Sequence, residues 1–469
     1  MALPTTDADW VTLLSLLHDS ELPQLQLLDR YYEGTQPLAY MHPDIQREIG
    51  DRIRPVVINW PQLVVDAIDE RLDVEGFRLP DEEEDDDDLW RVWQENNLDE
   101  ESAMGRVDAL TMKRSYLAVG TNEDDEATPL VTVESPLEMY TYVDPRTRKP
   151  LAALKRTIER DSLARISQQY ATLYLPDRTV WYDWSGNAFK ETQRDEHKLG
   201  EVPVVPLVNR ARTADRLGRS ELASVIPLSD AANKIATDMM VAAEFHSIPF
   251  RTVFGVGPDE FEDENGDKQS ALQVIMGKML AVPAEDGREI QAHEFSASSL
   301  TNFHDTINQL AKLVSSLAGL PPDYMGLTTD NPPSAESRLA GEIRLIKRAE
   351  RKMVGFGGTY EQTARLVRRF QTGEWDPRLK RLETRWRDAS APTEAQSADA
   401  ATKKFQAGIV PLRQTREDLG YTDAQIARME EEDAKKAEQN PLADIARGLA
   451  TNPLPQTAEP VTEPADAVA

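Results

Sequence analysis

The stretch from His197 to Leu222 divides the chain into two kinds of sequence. It reads His197-Lys198-Leu199-Gly200-Glu201-Val202-Pro203-Val204-Val205-Pro206-Leu207-Val208-Asn209 and then, eight residues later, Gly218-Arg219-Ser220-Glu221-Leu222. The apolar run from Val202 to Val208 predicts a strand, whereas Gly218 to Leu222 opens a helical pattern that breaks near Pro227 and stops at Pro249. Strand patterns dominate the region just before this stretch and helical patterns the region after it. The chain is therefore expected to have an α+β fold that is mainly helical.

Upstream of the dividing stretch, from about Ala118 to Arg210, short β-branched and aromatic runs are separated by Pro, Gly and Asp. These runs are Leu130 to Val133, Met139 to Val143, Thr172 to Leu175, Thr179 to Tyr182 and Val202 to Val208. Such spacing predicts a small, largely antiparallel sheet.

The N-terminal region is helical by pattern. Leucines at three- and four-residue spacing predict a helix over residues 1 to about 45, interrupted by Pro23. Asn59 precedes Pro61, a combination typical of a helix N-cap with proline in the first turn.

Downstream, an acidic segment lies between two helical patterns. Between Gly255 and Glu294 there are ten acidic and three basic residues, with strand patterns and a hairpin-like turn at Asn265-Gly266-Asp267. The predicted strands include Val274 to Met276 and Leu280 to Val282. We expect an exposed, acidic module flanked by helices.

The most regular periodicity follows this module. Six apolar residues keep strict a/d spacing, which suits packing against one neighbouring helix; they are Leu300, Phe303, Ile307, Leu310, Val314 and Leu317. A proline-rich loop leads to a long helix from about Ala335 to Phe370, in which Gly355, Gly357 and Gly358 predict a kink or break. Charged helices are expected over residues 398 to 437, and disorder over the Pro-, Ala- and Thr-rich tail.

Composition excludes several classes of protein. The 469 residues carry 53 Lys plus Arg against 82 Asp plus Glu, a net charge of −29, which argues against a generic nucleic-acid binder. The absence of cysteine removes disulfide scaffolds and thiol nucleophiles. No apolar run approaches the roughly 18 residues of a membrane span, and the N-terminus does not resemble a secretory signal, so a soluble protein without membrane contact is expected.

The run from Asp81 to Asp88 consists of eight consecutive acidic residues and ends where a helical pattern begins. Its favoured interpretation is a solvated loop leading into a helix N-terminus, where negative charge is stabilised. A divalent-cation site is the alternative.

Motifs for catalysis or cofactor binding are missing. There is no nucleotide-binding glycine loop, no serine hydrolase elbow, and no His-Glu-x-x-His among the six scattered histidines, His18, His42, His197, His246, His293 and His304. Asp263, Asn265 and Gly266 partly match a calcium loop, but Phe261 and Leu272 occupy two of its ligand positions. The sequence therefore predicts no enzyme, no cofactor and no metal.

The order of these features resembles the SPP1-like family of tailed-phage portal proteins. The resemblance rests on the dividing stretch, on Asp230-Ala231-Ala232-Asn233-Lys234, and on Ser315 to Pro322 followed by a loop and Ser334-Ala335. The N-terminal Tyr31-Tyr32-Glu33-Gly34 and Asn59-Trp60-Pro61 fit the same family, so that about residues 10 to 435 are covered.

The resemblance implies a division of the chain into the parts of a portal subunit. These parts are a wing (1–217), a first stem helix (218–249), a clip (250–296), a second stem helix (297–319), a tunnel loop (320–334), a long kinked helix returning to the wing (335–397), a crown (398–439) and a disordered tail (440–469).

The function implied by the resemblance is that of a conduit. Portal proteins form a dodecameric ring at one capsid vertex, and double-stranded DNA passes through the ring during packaging and ejection. The implied partners are the terminase large subunit, head-completion or adaptor proteins, and the major capsid and scaffolding proteins. The implied location is the virion at the head-tail junction, and the host cytoplasm during assembly.

Three groups of candidate site residues follow. The tunnel loop exposes to the DNA channel Pro321, Pro322, Asp323, Tyr324, Met325, Leu327, Thr328, Thr329, Asp330 and Asn331. The clip offers to docking partners Glu260, Glu262, Asp263, Glu264 and Asp267. The contacts between subunits are assigned to Phe303, Ile307, Leu310, Val314, Arg344, Arg348 and Arg351.

Charge is consistent with a conduit. A polyanion slides through a channel only if it makes few tight phosphate contacts, and residues 320–334 contain two Asp and no Lys or Arg. The long helix reverses the sign of the chain, with nine Lys/Arg against four Glu between residues 335 and 370. One interpretation is that its cations offset acidic surface on the next subunit, and the other is that they form an ordinary solvated face; the cations are Arg344, Lys347, Arg348, Arg351 and Lys352. The alternatives to a conduit are another capsid or scaffold protein, and a metal-dependent hydrolase that uses the acidic run.

Overall fold

The computed structural model describes residues 3–37, 56–82, 84–125, 127–163, 165–186, 188–246, 251–254, 279–282, 291–294, 300–327, 335–390, 394–421 and 423–438. The chain divides into two units, Met1–Ser390 and Ala391–Ala469. None of the described helices is long and apolar enough to cross a membrane.

Two helices form in the N-terminal region, and the first ends at Tyr32, short of the predicted end near residue 45. Helix α1 (Asp7–Tyr32) is continuous through Pro23, so the predicted interruption is wrong. Leu25 and Leu28, on the C-terminal side of the proline, are buried in the main core, which offsets the cost of the missing hydrogen bond. Helix α2 (Trp60–Asp69) begins as predicted, with the side chain of Asn59 accepting a hydrogen bond from the backbone N–H of Gln62.

Strands β2 to β9 form two antiparallel sheets, whereas a single sheet was expected for this region. After α2 the elements are β1 (Val74–Arg78), α3 (Asp87–Glu95), α4 (Leu98–Met112), β2 (Arg114–Gly120), β3 (Leu130–Glu134), β4 (Met139–Val143), β5 (Pro150–Arg160), β6 (Ile166–Tyr174), β7 (Thr179–Ser185), β8 (Ala188–Asp195) and β9 (Val204–Val208). One sheet has the order β3-β2-β9 and the other β4-β5-β6-β7-β8. The antiparallel pairing predicted from the short runs is confirmed.

Strand β2 is the centre of the smaller sheet. It follows α4 directly and is buried along most of its length. Its first residue pairs with the end of β9, Arg114 opposite Val208, and its last with the start of β3, Gly120 opposite Leu130. The hydroxyl of Ser115 donates to the carbonyl of Gly105 over 2.6 Å and ties β2 to the middle of α4.

The helical half begins with a short turn. Residues Glu221–Ser224 form a 3-10 turn, and helix α5 (Ile226–His246) starts one residue before Pro227, which confirms the break predicted there. Proline is well accommodated at such a position because its missing N–H has no partner in the first turn.

A small sheet separates α5 from the next helix. Strands β10 (Arg251–Phe254), β11 (Met279–Val282) and β12 (Gln291–Glu294) have the order β11-β10-β12, with β10 parallel to β11 and antiparallel to β12. The predicted strand Leu280 to Val282 lies in β11, whereas Val274 to Met276 and the Asn265-Gly266-Asp267 turn lie outside the described residues.

Helix α6 (Thr301–Ala318) packs against α5 and ends at Gly319, whose left-handed conformation closes the C-terminus. A 3-10 turn, Pro322–Met325, follows it.

The long helix α7 (Ala335–Thr372) is uninterrupted, so the break predicted at its glycines is wrong. Gly357 instead makes room for the last strand, β13 (Glu383–Trp386), which pairs with β1. A Cβ atom at Gly357 would lie 3.3 Å from Nε1 of Trp386, and the hydroxyl of Thr384 donates to the Gly357 carbonyl. Glycine lets the strand approach the helix closely here, and the helix continues through it.

The described part of the second unit, residues 394–421 and 423–438, forms short helices, as predicted for residues 398 to 437. They are α8 (Glu394–Gln406), α9 (Leu412–Asp418) and α10 (Asp423–Glu438). Lys404 pairs with Asp418 over 3.1 Å and Arg416 with Asp433, which joins α8 to α9 and α9 to α10. The tail 440–469 lies outside the described residues.

Candidate functional site

The described part of the predicted tunnel loop, residues 320–327, is called here the loop root. Leu320 is buried, its N–H donates to the carbonyl of Ser315 over 3.0 Å, and its carbonyl accepts from the Ser315 hydroxyl over 2.8 Å. The loop root therefore leaves α6 in a fixed direction. The predicted channel residues Thr328, Thr329, Asp330 and Asn331 lie outside the described residues.

Arg71, just beyond α2, fastens the loop root to the rest of the unit. Its guanidinium donates to the Tyr324 hydroxyl over 3.2 Å, pairs with Glu342 of α7 over 3.0 Å, and donates to the carbonyl of Ala389 over 2.6 Å. Tyr324 and two further residues of the root, Met325 and Leu327, pack against the main core. The 3-10 turn is thus tied to three parts of the chain by one cation.

The surface that the loop root leaves exposed is weakly acidic. Pro322 and Asp323 are exposed, whereas Pro321 is buried. Asp323 is the exposed ionisable side chain of the loop root. The hydroxyl of Tyr324 accepts a hydrogen bond from Arg71. The loop root contains no Lys or Arg, so it offers no cation to bind a phosphate.

The four residues of α6 predicted to contact another subunit have different environments. Val314 is fully buried by its own chain, Ile307 and Leu310 are partly buried against the main core, and Phe303 is half-buried. Helix α6 packs against α5, and Ile307, Leu310 and Val314 of the stripe lie in or against the main core. Leu317, the last residue of the predicted stripe, is exposed, so the stripe does not pack within the chain along its whole length. Apolar side chains that α6 leaves exposed are Leu313 and Leu317.

A buried ionic network, called here the Glu221 cluster, joins the dividing stretch to α7. One Glu221 carboxylate oxygen lies 2.5 Å from Nζ of Lys352, and the other lies 2.5 Å from Arg348 and 2.6 Å from Arg210. The side-chain amide of Asn209 donates to the same carboxylate, and Lys352 also donates to the Asn209 oxygen. The Glu221 side chain is completely buried.

The cluster contains one anion and three cations. Burial would raise the pKa of Glu221, but Lys352, Arg348 and Arg210 together hold it below its ordinary value. Burial lowers the pKa of Lys352 to about 8, with Glu221 opposing the shift. Two guanidinium N–H groups of Arg348, at Nε and Nη1, have no acceptor among the described residues. The single carboxylate therefore balances only one of the three cations, and the network has a net positive charge.

The basic residues predicted at a subunit contact are thus not equivalent. Arg348 is largely buried and its partner is Glu221 of its own chain. Arg344 and Arg351 are exposed, and Arg344 donates to the Ser316 carbonyl over 2.5 Å. The sequence shows Glu221 only as part of the Gly218-Arg219-Ser220-Glu221-Leu222 stretch, because a lone glutamate in a turn gives no signal that Arg210, Arg348 and Lys352 converge on it.

The acidic run leads into a helix N-terminus as interpreted, since Asp86 is the N-cap of α3 and accepts from the N–H of Leu89. Asp81, Glu82, Glu84 and Asp87 are exposed as a solvated run predicts, whereas Asp85, Asp86 and Asp88 are partly buried. Arginines both near the run and far from it in sequence pair with its carboxylates. The pairs are Asp81 with Arg381, Asp85 with Arg78 and Arg385, Asp86 with Arg368, and Asp88 with Arg368 and Arg91. The run holds the end of α7 and the approach to β13 against α3.

Neither the described part of the acidic run nor the described histidines form a metal site. Within the described part of the chain, no three His, Asp or Glu side chains are placed to hold a metal ion. His18 is buried with Nε2 2.9 Å from the Pro136 carbonyl, and His197 lies 3.3 Å from the Thr179 hydroxyl. Burial lowers the pKa of both imidazoles, which therefore serve in packing as neutral groups.

The clip residues predicted to dock partners, Glu260, Glu262, Asp263, Glu264 and Asp267, lie outside the described residues.

Comparison with known proteins gives concordant matches over most of the chain. The family model described as phage portal protein, SPP1 Gp6-like, matches residues 17–439. The portal protein of Mycobacterium phage D29 is 39% identical over 390 residues, which cover 81% of this chain and 79% of that protein. The portal protein of Mycobacterium phage L5 is 35% identical over 450 residues, 93% of this chain and 91% of that protein.

Among solved structures, a chain from the neck of an empty gene transfer agent particle aligns with a TM-score of 0.47 and 13% identity. The alignment covers 85% of this chain and 93% of that chain.

Proposed function

The chain belongs to the SPP1 Gp6-like family of phage portal proteins, and from that premise we propose that its copies close into a dodecameric ring at one capsid vertex, through which double-stranded DNA is packaged and ejected. The observation that carries the proposal is the extent of the match, which runs from residue 17 to residue 439 and so includes both helices around β10 to β12, the loop root and α7.

The charge of the chain supports passage of DNA without retention. Twelve copies at −29 each would carry about −350 charges, a field that repels a polyanion. Residues 320–334, proposed to line the constriction, contain no Lys or Arg to bind phosphate. The anchoring of the loop root by Arg71 supports a constriction of defined position.

Contacts between subunits are proposed for residues that the chain leaves accessible. On α6 these are Leu313 and Leu317 together with the half-buried Phe303, Ile307 and Leu310. On α7 they are Arg344 and Arg351. Arg348 and Val314 are left out of the proposed contact because their own chain already surrounds them.

The partners of the ring are proposed from the same premise. The terminase large subunit and, later, head-completion or adaptor proteins would dock on the acidic clip segment at Glu260, Glu262, Asp263, Glu264 and Asp267. Major capsid and scaffolding proteins would surround the ring in the virion, after assembly in the host cytoplasm.

Imaging of the purified protein tests the ring. We expect negative-stain images to show closed rings with a central hole, and native mass spectrometry to give a mass of about 630 kDa, that of twelve copies of 52.7 kDa. Monomers alone, or open fibres, would contradict the proposal.

Deletion of residues 260–267 tests the docking role of the clip. Because this segment carries five of the acidic residues of the clip and no site proposed for ring closure, we expect intact rings that fail to package DNA in an in vitro packaging assay with terminase. Normal packaging by the deleted ring would refute the docking role while leaving ring formation unaffected.

A further inference from the structure

We infer that each copy of the chain binds the next through two oppositely charged surfaces at the two ends of α4, a proposal that rests on the ring proposed above. The first surface, called here the basic end, surrounds the Glu221 cluster. The second, called here the acidic end, surrounds the N-terminus of α4.

The basic end is formed by the loop 210–219 and by residues 344–352 of α7. Together with Glu221 these segments contain nine Lys or Arg and three Asp or Glu, in a chain whose net charge is −29. Arg210 and Arg348 meet on the Glu221 carboxylate, so the two segments form one surface. Its charge is positive where the chain as a whole is negative.

Several cations of the basic end have no partner within the chain. Arg212, Arg216, Arg219 and Arg351 are exposed and make no ion pair with any residue that the structure describes. Behind them, Arg348 has two guanidinium N–H groups without an acceptor among the described residues. Buried or clustered guanidinium groups are normally matched by carboxylates, so this surface is suited to receive them.

The acidic end is formed by the start of α4 and by the loop between β2 and β3. Asp99, Glu100 and Glu101 lie in the first turn of α4, and Glu123, Asp124 and Asp125 lie in the loop. Asn96 joins the two segments, because its amide contacts the Pro129 carbonyl over 3.0 Å and the Val131 N–H over 2.8 Å. Arg91 offsets Glu95 at the edge of this surface.

The two surfaces are at opposite ends of the same elements. The loop 210–219 adjoins the C-terminus of α4, where the N–H of Asn209 donates to the Lys113 carbonyl over 2.8 Å. The loop between β2 and β3 adjoins the N-terminus of α4 and begins after β2 ends. The fifteen residues of α4 put its two ends about 20 Å apart.

Opposite charges at two ends of one rigid unit suit a heterologous contact. In such a contact the surface that one copy offers differs from the surface it receives, and repetition closes a ring when the rotation allows. The basic end of one copy therefore binds the acidic end of a second copy. A DNA phosphate is the competing occupant, and the experiment below separates the two.

The test reverses each surface in turn with residues that make no ion pair in the described chain. One variant carries Arg212→Glu and Arg216→Glu, and the other carries Glu123→Lys and Asp124→Lys. In a ring made of either variant alone, the two surfaces that meet between neighbouring copies would carry charge of the same sign. We therefore expect the fraction of protein in rings, measured by native mass spectrometry, to fall by about tenfold or more in low salt. Thermal unfolding of each variant checks that the subunit remains folded.

Two combinations make the outcome specific. An equimolar mixture of the two variants should regain rings in which the variants alternate, because each then meets an opposite charge on both sides. All four substitutions in one chain should also restore rings. Arg146→Glu with Lys190→Glu makes the same charge change as the Arg212→Glu, Arg216→Glu variant, but at exposed residues of the β4–β5 loop and of β8; it is the matched control for that variant and should leave rings unchanged.

Intact rings in both single-surface variants, or no recovery in the mixture, would overturn the inference. Intact rings with weakened DNA retention in the Arg212→Glu, Arg216→Glu variant would assign the basic end to phosphate instead. In either case the wild-type ring would still support the proposed function, whereas absence of wild-type rings would refute the function itself.

Discussion

Replacing Glu221 by Gln is expected to lower the free energy of unfolding by about 3 to 5 kcal/mol at pH 6.5, the loss typical of removing one member of a buried charge network. The carboxylate is completely buried and contacts Lys352, Arg348 and Arg210 within 2.6 Å. Glutamine preserves the shape and the contact with Asn209, but leaves the cations without a counter-charge. Chemical denaturation at equal protein concentration measures the difference.

The deficit should shrink as the pH rises. Lys352 has a pKa of about 8 in the folded protein, below its ordinary value of 10.5, so the unfolded state binds more protons and stability increases with pH between these values. Without Glu221 the pKa of Lys352 falls further, and the variant then gains more stability than the wild type between pH 6 and pH 8. A deficit that stays constant or grows over this range would contradict the assignment.

Asp108 of α4 provides the matched control, because it is a buried carboxyl with no cation partner among the described residues. Burial raises its pKa to about 6, with the Asp29 carboxylate adding to the shift and a Ser135 hydrogen bond opposing it. The stability that the protonated Asp108 carboxyl contributes is therefore fully present below pH 3.8 and is lost as the pH rises through 6. Asp108→Asn should therefore raise the free energy of unfolding at pH 7.5 by about 2 kcal/mol, the opposite sign to Glu221→Gln.

Periodicity and capping residues predicted the elements whose causes are local. The N-cap Asn59, the start of α5 near Pro227 and the helix predicted from the a/d stripe of α6 depend on neighbours within one or two turns, and these elements are present in the structure. The predictions at Pro23 and at Gly355 to Gly358 failed because distant packing overrides local propensity. The side of α1 beyond Pro23 is buried in the core, and β13 crosses α7 at Gly357.

The chemistry of the site was hidden for a related reason. The acidic run was visible as a charge pattern, but its partners Arg368, Arg381 and Arg385 lie about 300 residues away and only the fold brings them together. The same holds for Glu221 and Lys352, which are 131 residues apart. Family resemblance predicted a channel loop and a clip along the chain, but gave no indication of which arginines hold carboxylates within the subunit.

Gly218→Ala is expected to lower the free energy of unfolding by about 3 kcal/mol, through strain and steric overlap together. Gly218 has φ +87°, a conformation that residues with a side chain rarely adopt. A Cβ atom there would lie 2.6 Å from the carbonyl oxygens of Asn209 and Lys113 and 2.8 Å from a methyl group of Val208. Two of these three atoms are backbone, at the junction of α4, β2 and β9, and cannot move aside independently.

Gly200→Ala separates the two causes. Gly200 has φ +83°, but a Cβ atom there would meet nothing within 4 Å, so this variant carries the backbone strain without the overlap. We expect it to cost about 1 kcal/mol. The difference between the two variants then measures the steric part. Equal losses would mean that the junction accommodates the methyl group and that the overlap argument is wrong.

The two large effects should also be coupled. The turn at Gly218 lets the N–H of Arg219 donate to the Asn209 carbonyl over 2.9 Å, and this bond sets the position from which Glu221 reaches Lys352. If Gly218→Ala displaces that turn, part of the Glu221 cluster is already lost. The double variant Gly218→Ala, Glu221→Gln should then be destabilised by less than the sum of the single variants, by about 1 kcal/mol or more. Strict additivity would show that the glycine and the carboxylate act independently, and that the turn does not position the cluster.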